Sequence, residues 1–176
     1  MNSCTDSERK NGDEKCGFER NLEILREIEL FSAVPFNSLK AMALLCRVVR
    51  YDPQECVFRQ GDFDHKAYYL IEGSCELLRK DDGAEHSIGI LEAGQVLGAM
   101  ALLSDVQRLF SLRVVEPLFC LEIDRNKVFN VLLETNGGSA GFLKVLVKRI
   151  VHWEDVLLSA QTCESCTLQN VGVSLV

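Results

Sequence analysis

The sequence predicts a mainly β domain with helices at both ends, its strands closing as a barrel, roll or sandwich. Two observations carry this. Between residues 47 and 123, short runs rich in β-branched and aromatic residues recur, each bounded by a turn signal. On either side of that stretch, apolar residues return at helical spacing. A chain of 176 residues, 47% hydrophobic and 26% charged, suits one globular domain with enough core to fold alone.

Residues 1–18 are charged and polar and are expected as a flexible arm, the domain itself as 19–160, and 161–176 as a polar tail. Leu22, Ile24, Leu25 and Ile28 mark a first helix, whose continuation Pro35 breaks. Asn37 or Ser38 caps a second, short helix with Leu39, Met42, Ala43 and Cys46 on one face. The strand runs begin at Val48, Cys56, Tyr68, Cys75, Ile88, Phe110 and Leu118, about seven or eight in all. Asp52-Pro53, Gly61-Asp62, Glu72-Gly73, Asp82-Gly83, Gly94 and Gly98 separate them as turns. Asp124 then caps a helix carrying Val128, Phe129, Val131 and Leu132, which Asn136-Gly137-Gly138 stops. A longer helix follows, from Gly141 to about Ala160. Leu143, Leu146, Ile150, Trp153 and Leu157 form its seam, to be packed on the β region or on a second copy.

The net charge of −7, with no basic stripe against it, argues against a general nucleic-acid or acidic-membrane binder. No apolar run approaches the ~20 residues that span a bilayer, and the N-terminus lacks the apolar core of a signal peptide, so a cytoplasmic protein is expected. Of the eight cysteines, Cys46, Cys56, Cys75 and Cys120 sit in apolar segments as small hydrophobes. Cys163 and Cys166 form a single Cys-x-x-Cys, which with Cys4 and Cys16 would supply four thiols, but the expectation is that no metal is held. Gly-x-Ser-x-Gly, His-Glu-x-x-His and Walker-type signatures do not occur, and His65, His86 and His152 are scattered, so no enzyme is expected.

The candidate site is Gly94-Gln95-Val96-Leu97-Gly98-Ala99-Met100-Ala101-Leu102-Leu103, followed after a short loop by Arg108. A Gly-flanked turn entering a helical turn presents backbone N–H groups to an anion. An Arg folding back on it adds a second grip on a phosphate. Arg108 otherwise pairs with Asp105, and Gly94 and Gly98 otherwise serve only as turn glycines.

The order of pieces resembles the cyclic-nucleotide-binding domain family. They are Leu30-Phe31 with Leu39, Phe58-Arg59-Gln60-Gly61-Asp62 with Asp64, Tyr69-Leu70-Ile71-Glu72-Gly73-Ser74, Leu91-Glu92-Ala93-Gly94 running to Gly98, Ala101-Leu102-Leu103, and Arg108. The resemblance covers roughly residues 22–160 and implies an antiparallel β-roll of about eight strands, a short helix in the phosphate-binding cassette and two closing helices. It places Gly98, Ala99, Met100, Ala101, Arg108 and Leu109 in that cassette and makes Ile150, Trp153 and Leu157 a lid or dimer contact. The chain departs from the cassette where Ala99 replaces a ribose-contacting Glu and Leu109 a small residue. Gln107 and Gln54 replace a Pro and a turn Gly. Losing a bond to an ionised acceptor costs on the order of 1.5–3 kcal/mol, and a Leu projecting into a phosphate pocket excludes the anion.

Two functions follow from the resemblance. One is a sensor for a cyclic nucleotide or another phosphate-bearing ligand that signals in trans, through a homodimer or a partner protein, no effector following the closing helix. The other is a ligand-free interaction module, with Ala99 and Leu109 filling a disused pocket. Relatives that sense redox or gases through cysteine-bound iron suggest a third, with Cys4, Cys16, Cys163 and Cys166 as ligands.

Overall fold

The computed structural model describes residues 6–134 and 138–160, with side chains described within 17–131, 140–148 and 150–152. Helix α1 runs Asp6–Glu27, a 3₁₀ turn Glu29–Phe31 follows, and α2 spans Phe36–Leu45. Six strands come next: β1 Arg47–Tyr51, β2 Cys56–Phe58, β3 Lys66–Asp81, β4 Ala84–Glu92, β5 Val96–Leu97 and β6 Ser111–Asp124. A second 3₁₀ turn, Ala99–Leu102, lies between β5 and β6, and α3 Arg125–Glu134 and α4 Gly138–Ala160 close the fold.

All strand pairs are antiparallel, in the order β1-β6-β3-β4, with β2 also on β6 and β5 on β3. Six strands stand where about seven or eight were expected: two pairs of the seven runs fuse, leaving five, and the two-residue β5, not among them, is the sixth. Tyr68–Ile71 and Cys75–Leu78 are one strand, β3, and the runs around Leu112 and Phe119 are one strand, β6. The expected turn at Glu72-Gly73 is instead a bulge where β3 crosses β6, with register shifts on both sides. Gly73, at φ +94°, is needed there, because a Cβ would overlap the Pro117 carbonyl.

The helical ends depart from expectation in three places. α1 begins at Asp6, so residues 6–18, expected as a flexible arm, are helical. α2 is capped by Pro35, not Asn37 or Ser38, and the Pro35 carbonyl receives the Ser38 and Leu39 amides at 2.9 and 3.1 Å. On α4, Leu143 is about half exposed, while Phe142 and Leu146 are buried and Ile150 is half-buried. Phe142 wins the inward position by stacking on Phe31, ring centroids 5.8 Å apart. The side chains of Trp153 and Leu157, and all of Cys4, Cys163 and Cys166, lie outside the described residues.

The core has two parts. One gathers Leu25, Leu30, Phe31, Met42, Phe142 and Leu146 from the helices against Leu121 and Ile123. The other fills the roll with Phe58, Leu70, Leu77, Leu112, Val114 and Leu118. The cassette turn lies where the two meet, since Ala99 and Leu102 belong to the first and neighbouring Leu97 to the second. Among the described residues no helix is long and apolar enough to cross a membrane.

Candidate functional site

Strand β5 ends at Gly98, which takes the left-handed conformation (φ +71°, ψ +24°) and turns the chain into the 3₁₀ turn. Ala101 N–H donates back to the Gly98 carbonyl at 3.0 Å, and Leu103 N–H to Met100 at 3.0 Å, closing the turn. Ala99 and Ala101 are fully buried, and Met100 is half-buried.

Arg108 folds back onto this turn, in an environment the sequence does not disclose. Among the described residues it is the largest fully buried side chain. Its guanidinium lies over the Phe58 ring at 4.2 Å and near Tyr68 at 5.8 Å. On the other side it abuts Gly98, where a Cβ would overlap it. Nη2 donates to Asp64 Oδ1 and, at 2.7 Å, to the Lys66 carbonyl. Nε and Nη1 are buried with no hydrogen-bond partner among the described residues. Buried donors of a charged group left unpaired are costly, and in folded proteins such atoms are satisfied by water or an ion, serve function, or store strain.

The loop before β3 is fastened to the exit of the cassette. Gly61 N–H donates to the Arg108 carbonyl and Arg108 N–H to the Asp62 carbonyl, both at 2.8 Å, and Gln107 Nε2 donates to Gly61 O at 3.1 Å. Tyr68 Oη donates to Asp64 Oδ2 at 3.1 Å. Burial, then the Asp64 charge, pushes the Tyr68 phenol far up, so it stays protonated as that donor. A second set of charges braces the floor. Glu122, buried on β6, accepts from Arg47 Nε at 2.8 Å and from Lys66 Nζ at 2.9 Å. Burial alone would raise its carboxyl, but those two hydrogen bonds and charges outweigh it and hold it below the ordinary range.

Two expectations are corrected here. Asp105 does not pair with Arg108 but with Arg125. Leu109 does not project into a phosphate pocket or fill one, since it is half exposed on the outer side, while Ala99 faces the helical core. Both residues lie in the loop ahead of β6, and the inward position there is taken by Arg108, held over Phe58 and by Asp64. Gly98, Ala99, Met100, Ala101 and Arg108 are brought together. Asp64, Phe58, Tyr68 and Lys66 complete the site; of these, Phe58 and Asp64 belong to the stretch that carried the family resemblance. No cluster of metal-ligating side chains occurs among the described residues.

Comparison with known proteins gives the family and the fold. The family described as "Cyclic nucleotide-binding domain" matches residues 48–135. A cAMP-dependent protein kinase regulatory subunit from Blastocladiella emersonii is 32% identical over 110 residues, covering 62% of this chain. The chain spans only 27% of that relative's length. The structure is similar to Thermus thermophilus catabolite activator protein, with a TM-score of 0.61 and 22% identity over 76% of this chain and 62% of that one. It is similar also to the regulatory domain of Toxoplasma gondii PKA in co-crystal with cAMP (TM-score 0.61, 23% identity, 80% of this chain, 50% of that one). At these identities the solved structures speak for the fold.

Proposed function

Since the chain belongs to the cyclic nucleotide-binding domain family, we propose that it is a non-catalytic regulatory module that senses a cyclic nucleotide or another phosphate-bearing ligand at Gly98–Ala101 and Arg108. The observation that carries this reading is the Arg108 guanidinium, buried against Gly98 with Nε and Nη1 unpartnered. A phosphate is the group whose lone pairs fit such donors. With Ala99 offering no acceptor for a sugar hydroxyl, the phosphate contacts must supply the affinity, and binding is weak. The protein works in the cytoplasm, and its state passes on through the docking of α4 to a second copy or a partner protein.

A second reading has its own support. Arg108 Nη2 is already held by Asp64, and the side chain is 0% exposed, so the site is shut unless the cassette loop opens. In that reading the domain is a ligand-free interaction module.

A thermal-shift scan against millimolar cyclic AMP, cyclic GMP, cyclic dinucleotides and AMP separates the two. Ligand at 100 times its Kd adds about 2.7 kcal/mol of stability. A saturable rise that disappears in Arg108→Lys, which keeps the charge but loses the planar fork, supports the sensor. A flat response across the panel leaves the interaction module.

A further inference from the structure

Away from the cassette, the passage from α1 into α2 leaves an open cleft of about 500 Å³, lined by Arg26, Phe31, Ser32, Val34, Phe36 and Leu39. Its floor is apolar, since Phe31, Val34 and Leu39 belong to the buried helical core. Its rim is different. Phe36, the first residue of α2, is 49% exposed, although burying such a ring would be favourable. Two cations lie over that ring: Lys40 Nζ is 4.6 Å from its centroid and the Arg26 guanidinium 5.9 Å. Neither cation has an ion-pair partner among the described residues, and no carboxylate lines the cleft.

We propose that this cleft docks an acidic peptide segment of a partner protein, which seats an apolar side chain on the floor and sets carboxylates against Arg26 and Lys40. Charge complementarity carries the choice of occupant. The chain has a net charge of −7, so two unpaired cations around one exposed aromatic ring are a local reversal of its charge. A carboxylate arriving at the rim meets both cations at once, while a basic segment meets only repulsion. Exposed aromatic and Arg side chains are also the types enriched at protein interfaces and at their energetic centres.

The shape favours a peptide over a small molecule. Sites for small molecules enclose most of the ligand's surface. Here the cations and Phe36 stand exposed around an open cleft, which suits a segment lying across it with one side chain inserted. The cleft shares no residue with the cassette, so the proposal stands or falls separately from the sensor reading.

The test is fluorescence anisotropy of the full chain with a fluorescein-labelled peptide, Glu-Asp-Phe-Glu-Asp-Leu-Glu-Asp. Its counterpart with Gln and Asn in place of Glu and Asp is read beside it. Saturable binding of the acidic peptide is expected, severalfold weaker for the uncharged counterpart and weakening as salt is raised. Phe36→Ala should weaken binding about tenfold, and Arg26→Glu and Lys40→Glu about fivefold each. All three residues are exposed, so the variants should melt as the wild type does. Lys80→Glu, at the exposed end of β3, should bind as the wild type does. In amide NMR spectra the peptide should shift Ser32, Phe36 and Asn37 and leave Gly98 in place. Absence of saturable binding overturns the proposal. So does an equal loss in Lys80→Glu, which would mean general attraction, or a shift centred on Gly98, which would put the carboxylates at the cassette. Phenylacetate binding as tightly as the peptide would make this a small-molecule site and overturn it too.

Discussion

Gly98 and Arg108 are in such close contact that a single methyl group cannot come between them. A Cβ on Gly98 would overlap the Arg108 guanidinium and lie 2.7 Å from the Lys66 carbonyl. The left-handed turn and the buried cation are therefore one arrangement, and a change in either is felt in the other.

Gly98→Ala tests that arrangement. The left-handed backbone alone costs a non-Gly residue about 1–2 kcal/mol, and the guanidinium must move as well. Urea unfolding should show a loss of at least that size, and any phosphate-ligand response should go with it. Unchanged stability would mean that Arg108 does not rest on Gly98.

Asp64→Ala should be more harmful than its partial exposure suggests. It removes the counter-charge of a fully buried guanidinium and the acceptor of Tyr68. Uncompensated buried charges cost about 3–5 kcal/mol, a range in which Asp64→Ala should fall toward the bottom because Asp64 itself is 21% exposed. The double variant Asp64→Ala with Arg108→Met, which removes the charge with its partner, should recover part of the loss in the same urea measurement.

Acid sensitivity should pass in part through Glu122. Its folded-state carboxyl titrates below the ordinary value, which is about 4.3 for Glu. A depressed folded value means that the stabilisation is present above the unfolded value and is lost as pH falls through the folded one. Urea midpoints of the wild type should thus fall more steeply below about pH 4 than those of Glu122→Gln. The gap between the two should be constant from pH 5 to 7. Equal slopes below pH 4 would show that Arg47 and Lys66 do not hold this carboxylate.

The buried thiols should be silent. Burial pushes Cys46, Cys75 and Cys120 up to about 12, so almost none of each is thiolate at pH 8. Mass-spectrometric mapping of iodoacetamide labelling in the native protein should find Cys56, which is half-buried, modified well before those three. Urea should erase the difference.

Gly141 fixes how closely α4 docks. A Cβ there would come 2.7 Å from Ala33 Cβ and 2.8 Å from its carbonyl oxygen. Gly141→Ala should lift the start of α4 from the 3₁₀ turn and disturb the Phe31–Phe142 stack. Trypsin should then cut after Lys144 and Lys148 several times faster, while the β-sheet circular dichroism stays unchanged. Equal cutting rates would show that this close approach does not hold the helix.

The family was legible in the residues because its evidence is local and ordered. Turn glycines, apolar runs of strand length and the Gly98-to-Arg108 spacing survive in one dimension. The merging of expected strands into β3 and β6 was less visible, because Glu72-Gly73 is a turn signal whether the chain reverses or merely bulges. What decides between them is Pro117 on another strand, 44 residues away.

What the sequence by itself determined was a β region between helical ends, the buried face of α2 around Met42, and the spacing from Gly98 to Arg108. These follow from periodicity and short-range geometry, which each segment carries with it. Only the tertiary structure decided which carboxylate Arg108 takes, Asp64 and not the nearer-in-sequence Asp105, and that Leu109 faces out. Ion-pair choice depends on distances of a few ångströms between segments, since Coulomb and hydrogen-bond energies fall off over that range. No spacing along the chain encodes such distances; the crossing of β3 and β6 and the folding back of the cassette loop set them.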